Sequence, residues 1–112
     1  MTDISVRNRL WLMKGGRSDL GEGRIDLMKA IIEHGLISTA VRSMNMSYKK
    51  AWESVDAMNT LSDEPLVTRT TVGRGGGGTI VTKAGQEAIS LYEGINQRCN
   101  GFLDEELKSL NS

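Results

Sequence analysis

The feature that most constrains this chain is a turn at Asn45-Met46, set between a short apolar pattern and a capped helix. Upstream, Ile37–Met44 has room for about two helical turns, with Ala40, Val41 and Met44 facing inward. Ala40 is small and lets a neighbouring helix approach closely. Asn tolerates positive φ, which suits Asn45 to a sharp turn. Ser47 then opens a second helix by accepting a hydrogen bond from a free N–H of its first turn, worth about 1 kcal/mol. Ala51, Val55 and Met58 recur at helical spacing, with Trp52 at the margin. This helix is expected to reach Leu61. A short helix, a tight turn and a longer capped helix make a helix-turn-helix arrangement.

The rest of the chain supplies elements to hold that pair. Residues 4–13 alternate imperfectly, with Val6, Leu10 and Leu12 on one face, and read as a short strand. Lys14-Gly15-Gly16-Arg17-Ser18 reads as a turn or loop. A first helix is predicted from Asp19–Gly23 to His34, on a stripe of Ile25, Met28, Ile31 and Ile32 broadened by Leu27. Gly35 suits its left-handed C-cap. His34 sits where a helix end favours a cation, a structural role. Pro65 cannot continue the Ser47 helix. The β-branched runs Leu66–Val72 and Thr79–Thr82 then read as two strands around a glycine-rich tip, a β-hairpin. Thr82 can cap a last helix from Lys83 to about Leu107. On that helix Ala88, Leu91, Ile95, Cys99 and Phe102 repeat at intervals of four and three residues, as in a coiled-coil seam. Gly94 and Gly101 each weaken it by roughly 1 kcal/mol relative to Ala, so packing must hold it.

At 112 residues with 38% hydrophobic content, the chain is one small domain, with part of its apolar surface exposed or covered in a dimer. The single Cys99 excludes an internal disulfide and a multi-cysteine zinc site, and His34 is the only histidine. No metal and no cofactor are expected. No run approaches the ~20 apolar residues of a membrane span, and no secretory signal pattern opens the chain. A cytoplasmic protein is expected. Net charge is zero but unevenly spread. Residues 84–112 hold five acids against Arg98 and Lys108, a balance of −3, so residues 1–83 carry +3. Segment 66–83 has Arg69, Arg74 and Lys83 and no acid. Because salt screens exposed charges beyond about 8–10 Å, such a local basic surface can meet phosphates on a neutral molecule.

The element order is strand, three helices, hairpin, long helix. It predicts a mainly α, α+β winged helix-turn-helix. Residues 1–83 form the DNA-binding part, and residues 84–112 the dimerisation helix of the same domain. In such folds the second helix of the pair enters the major groove and its N-terminal residues reach the bases. Here those are Ser47, Tyr48, Lys49 and Lys50, with Glu53 one turn on. Lys49 and Lys50 can meet phosphates or guanine O6/N7. Ser47 suits a phosphate. The competing reading is a solvated basic helix end in a small bundle. Tyr48 stays ambiguous between core and phosphate, and Trp52 is assigned to core packing. Gly73-Arg74-Gly75-Gly76-Gly77-Gly78 matches G-x-G-x-x-G by letter, but a strand follows where that fingerprint needs a helix. A wing on the DNA backbone or minor groove, carrying Arg74 with Arg69 on its first strand, fits better; the plain alternative is a mobile loop. Cys99 is expected as a small buried apolar residue. No nucleophile–base pair and no paired carboxylates in an apolar setting are visible, so no enzyme is expected.

The segments Leu10-Trp11-Leu12, Gly21–Met28, Met46–Trp52, Pro65-Leu66-Val67 and Gly73–Gly78 with Thr82–Gly85 resemble the N-terminal DNA-binding domain of the molybdate-responsive ModE regulators, which is related to the LysR-type winged helix. The resemblance covers about residues 8–92. It implies a bacterial or archaeal transcriptional regulator that dimerises and binds palindromic operators on double-stranded DNA. Full-length members add a C-terminal module that senses molybdate or tungstate. These 112 residues leave no room for it, so a stand-alone DNA-binding domain is expected. Dimer contacts are expected from Ala88, Leu91, Ile95 and Phe102. Leu36 replaces the family's usual Ser, removing the expected cap of the second helix unless Ser38 caps it from a later register. A second hypothesis is an interaction module that pairs with a full-length regulator as a heteromeric partner.

Overall fold

The computed structural model describes residues 3–16, 18–70 and 78–111. Their order is β1 (Leu12–Lys14), β2 (Ser18–Leu20), α1 (Glu22–His34), α2 (Ile37–Ser43), α3 (Tyr48–Met58), a 3-10 turn (Asn59–Leu61), β3 (Val67–Arg69), β4 (Thr79–Val81) and α4 (Lys83–Asn111). Three helices, a hairpin and a long final helix make the mainly α winged helix-turn-helix that the sequence predicts.

The N-terminal segment differs from expectation. The strand is confined to β1 and pairs antiparallel with β2, Leu12 opposite Leu20 and Lys14 opposite Ser18. Gly15 and Gly16 turn the chain at φ +62° and +71°, a left-handed pair that side chains resist. The turn falls where the sequence places it, but Ser18-Asp19-Leu20 carries no apolar run to signal a second strand. Val6 is exposed, while Leu10 and Leu12 pack against the core as the alternation requires.

α1 buries Ile25, Leu27, Met28 and Ile31, but Ile32 is 53% exposed. Leu27, the position that broadens the stripe, is fully buried, while Ile32 falls at its solvent-facing edge. Gly35 closes the helix at φ +73°, its N–H donating to the Ile31 carbonyl at 2.7 Å. At the other end Gly21 lies under the Trp11 indole, and a Cβ there would stand 2.7 Å from a ring carbon.

The uncapped start of α2 finds its partner elsewhere in the fold. Leu36 makes no side-chain cap and Ser38 does not replace it; α2 begins at Ile37. The Ile37 N–H instead donates to the buried Thr79 hydroxyl at 3.3 Å. The Thr79 N–H in turn donates to the Gly35 carbonyl at 3.1 Å, so β4 is stitched to the α1–α2 turn twice. Asn45 has φ +57°, as its place in the turn requires.

α3 is capped as predicted, the Lys50 N–H donating to Ser47 Oγ at 3.1 Å. Ala51, Val55 and Met58 are fully buried. The α-helix ends at Met58 rather than Leu61, where Asn59 turns its side chain to β3 and the backbone tightens to 3-10. β3 and β4 pair antiparallel, Val67 opposite Val81 and Arg69 opposite Thr79.

α4 spans 29 residues, roughly 44 Å, and runs past the predicted end at Leu107. Thr82 caps it, accepting from the Gly85 N–H at 3.1 Å while donating to the Pro65 carbonyl at 2.7 Å. The core-facing side of α4 is Gly85, Ile89 and Tyr92. Tyr92 donates to the Leu10 carbonyl at 3.1 Å, which ties down the N-terminal segment. The predicted seam lies on another face. Cys99 is only half-buried there and accepts from Asn8 Nδ2 at 3.3 Å.

Candidate nucleic-acid interface

The first turn of α3 presents Ser47, Tyr48, Lys49 and Lys50, all exposed, with Glu53 exposed one turn on. This follows from the apolar period. Once Ala51, Val55 and Met58 face the core, positions 49, 50 and 53 point outward. Tyr48, 53% exposed, leaves the core and meets the edge of Trp52, ring centroids 6.3 Å apart and planes at 75°. That settles the ambiguity over Tyr48 toward the surface.

Arg69 is brought to the same place by the wing. Its guanidinium carbon lies 3.9 Å above the Trp52 ring centre, a cation–π stack. Strand alternation explains the placement. Val67 and Arg69 share a face of β3; Val67 is buried, so Arg69 reaches the protein side of the strand at its end. Trp52 therefore has two roles. It packs against the core as expected and is also the platform joining the recognition helix to the wing. Its Nε1 is buried with no hydrogen-bond partner among the described residues.

These residues enclose a small recess of about 90 Å³ lined by Ile37, Ser38, Tyr48, Trp52, Arg69, Gly78 and Thr79. Gly78 permits the close crossing, since a Cβ there would lie 2.6 Å from the Thr70 methyl. Sequence reasoning missed Ser38, Thr79 and Asn59. The first two carry no local motif and meet the site only through the fold. Arg74 and most of the glycine tip lie outside the described residues.

The four residues expected at a dimer contact divide along α4. Ala88 packs against the chain's own core and Ile95 is half-buried. Leu91 and Phe102 are 55% and 63% exposed. Near Leu91, an apolar groove of about 610 Å³ runs between β1 and α4, with Trp11, Met13 and Leu61 among its walls. On α1, burial and the nearby Glu22 raise the pKa of Asp26 against the opposing pull of Lys29. Lys29 pairs with Glu93 of α4 at 2.9 Å. Among the described residues no helix is long and apolar enough to cross a membrane.

No family model matches the chain. Curated relatives do. It is 39% identical over 92 residues to the molybdenum transport protein ModE of Azotobacter vinelandii, covering 82% of this chain and 34% of that protein. It is 42% identical over 93 residues to the DNA-binding transcriptional dual regulator ModE of Escherichia coli K12, covering 80% of this chain and 36% of that one. The chain is a homologue of the ModE regulators. A molybdenum-pterin-binding protein, MopA of Rhodobacter capsulatus, matches similarly, at 41% over 98 residues, 85% of this chain and 37% of its own length. The chain thus spans about a third of the length of these ModE and Mop relatives.

Proposed function

We propose that this chain is a sequence-specific DNA-binding transcriptional regulator that acts as a homodimer on a palindromic operator. The carrying observation is the exposed, Ser47-capped basic turn of α3, following a short α2 and the left-handed Asn45. In this reading Lys49 and Lys50 approach base edges and phosphates in the major groove, with Tyr48 and Glu53 beside them. Arg69 and Arg74 follow the backbone or minor groove from the wing. Exposed Leu91 and Phe102, with Ala88 and Ile95, give α4 an apolar stripe for a two-fold partner. Two recognition helices would then stand about 34 Å apart, one turn of DNA. The printed name of the Escherichia coli relative supports DNA binding and regulation. The names of the relatives also point to molybdenum as the metabolic context.

Gel shift on operator fragments at two salt concentrations tests the reading. Selective binding that weakens with salt is expected. No binding at low salt, or binding without sequence preference, would overturn it. The alternative of a module that pairs with a full-length regulator has no observation of its own in its favour.

A further inference from the structure

We infer that the recess between α2, α3 and the wing is a socket for one DNA backbone phosphate, held by Ser38, Tyr48, Trp52 and Arg69. The inference rests on the DNA-binding reading and deepens it. It assigns Ser38 and the Trp52 N–H to binding and gives Arg69 a defined ligand.

The lining is a set of donors. Arg69 has five N–H groups and no acceptor, Trp52 Nε1 can only donate, and the Ser38 and Tyr48 hydroxyls can donate. Among the described residues no carboxylate lines the recess. The Thr79 hydroxyl already accepts from the Ile37 N–H, which leaves its proton for the recess. Trp52 Nε1 is the independent sign of a missing ligand, for it is buried with no acceptor among the described residues. Such a group costs the free protein its desolvation unless something supplies an oxygen. An anion is the ligand that a lining of donors suits, and charge-assisted bonds to it are stronger than neutral ones. Position then selects the source. Helix and wing meet here beside the basic turn of α3, so a strand whose bases face Lys49 and Lys50 would lay its backbone across this recess. The Arg69–Trp52 stack pre-orders the guanidinium for that contact.

The test uses fluorescence anisotropy with the tightest-binding duplex from the gel shift and a scrambled duplex, between 50 and 200 mM salt. Arg69→Gln is expected to lose about tenfold in affinity on both duplexes alike, and to lower the slope of log K against log salt by about 0.9 for each subunit bound. Ser38→Ala is expected to lose about threefold on both, with the slope kept. Trp52→Phe keeps the ring under Arg69 and removes the orphaned N–H. DNA affinity is expected to fall on both duplexes while the free form keeps the wild-type helical content, a pairing that a purely structural role would not produce. Arg69→Gln with the wild-type salt slope, or a folded Trp52→Phe that binds as wild type, would overturn the socket and leave DNA binding standing. Inorganic phosphate at constant ionic strength that raised the melting temperature of the wild type but not of Arg69→Gln, with Arg69→Gln binding DNA as the wild type does, would assign the recess to a free anion and overturn the backbone assignment. Wild-type protein that bound no duplex at 50 mM salt would overturn the function and the socket together.

Discussion

Asn59 and Val67 exchange two hydrogen bonds. Asn59 Nδ2 donates to the Val67 carbonyl at 3.1 Å, and the Val67 N–H donates to Asn59 Oδ1 at 3.1 Å. The Leu66 N–H shares that oxygen at 2.8 Å. One side chain at the end of the recognition helix thus takes the place of a neighbouring strand for β3. It fixes the angle between helix and wing. Asn59→Ala leaves three backbone groups without partners and is expected to cost about 2–3 kcal/mol in denaturant unfolding. Asn59→Asp keeps the oxygen that accepts two of the three bonds and is expected to lose less. Equal losses for the two variants would contradict this role.

Two glycines of α4 are expected to respond with opposite signs to the same substitution. At Gly85 a Cβ would run into the Leu66 carbonyl oxygen and lie 2.6 Å from a Val81 methyl. Gly85→Ala should therefore cost about 1–3 kcal/mol through overpacking, despite the better helix propensity of Ala. At Gly101 nothing lies within 4 Å of the added carbon. Gly101→Ala should stabilise by up to about 1 kcal/mol. Paired thermal melts decide the matter.

Asp26 predicts a pH dependence. Burial and Glu22 raise its pKa, so the folded chain holds this proton at a higher pH than the unfolded chain does. Ionisation at neutral pH therefore disfavours the folded state, and stability from this group is regained as pH falls through the raised value. Asp26→Asn is expected to raise the melting temperature at pH 7, with the gain shrinking as acid protonates the wild-type carboxylate. A gain that grew toward low pH would contradict the assignment.

The exposed stripe of α4 is open to a solution measurement. Leu91→Asp combined with Phe102→Asp replaces two exposed side chains that the chain's own core does not use. Sedimentation equilibrium is expected to show a dimer for the wild type and a folded monomer for the variant. DNA affinity should fall with it, since half-sites then bind one at a time. A monomeric wild type would contradict the dimer proposal.

Local signals carried much of this fold into the sequence. Ser47, Asn45, Gly35 and Thr82 are capping and turn residues whose effect reaches only a few neighbours, and each acts where it was expected. The apolar period of α3 separated Ala51, Val55 and Met58 from Lys49 and Lys50 correctly. On α4 two apolar periods compete. The longer one, Ala88 to Phe102, lies to the side of the core with Leu91 and Phe102 exposed, while Gly85, Ile89 and Tyr92 meet the core. Glycine is silent in a hydrophobic pattern, so its close contact with Leu66 and Val81 was hidden. The Thr79 bond that replaces the missing α2 cap joins residues 42 positions apart. Nothing local signals such a bond. The Arg69–Trp52 stack was partly legible, because strand alternation from a buried Val67 already turns Arg69 inward.

The central claim is that α3 reads DNA as one of a symmetric pair. Selection of bound sequences from a random duplex pool, run in parallel for the wild type and Lys49→Ala, tests it most directly. The wild type is expected to enrich an inverted repeat with half-sites about one helical turn apart. Lys49→Ala should bind more weakly by about 1–3 kcal/mol and relax the preference at one position in each half-site. A pool that stayed random, or an enriched site that Lys49→Ala left unchanged in both affinity and sequence, would contradict it.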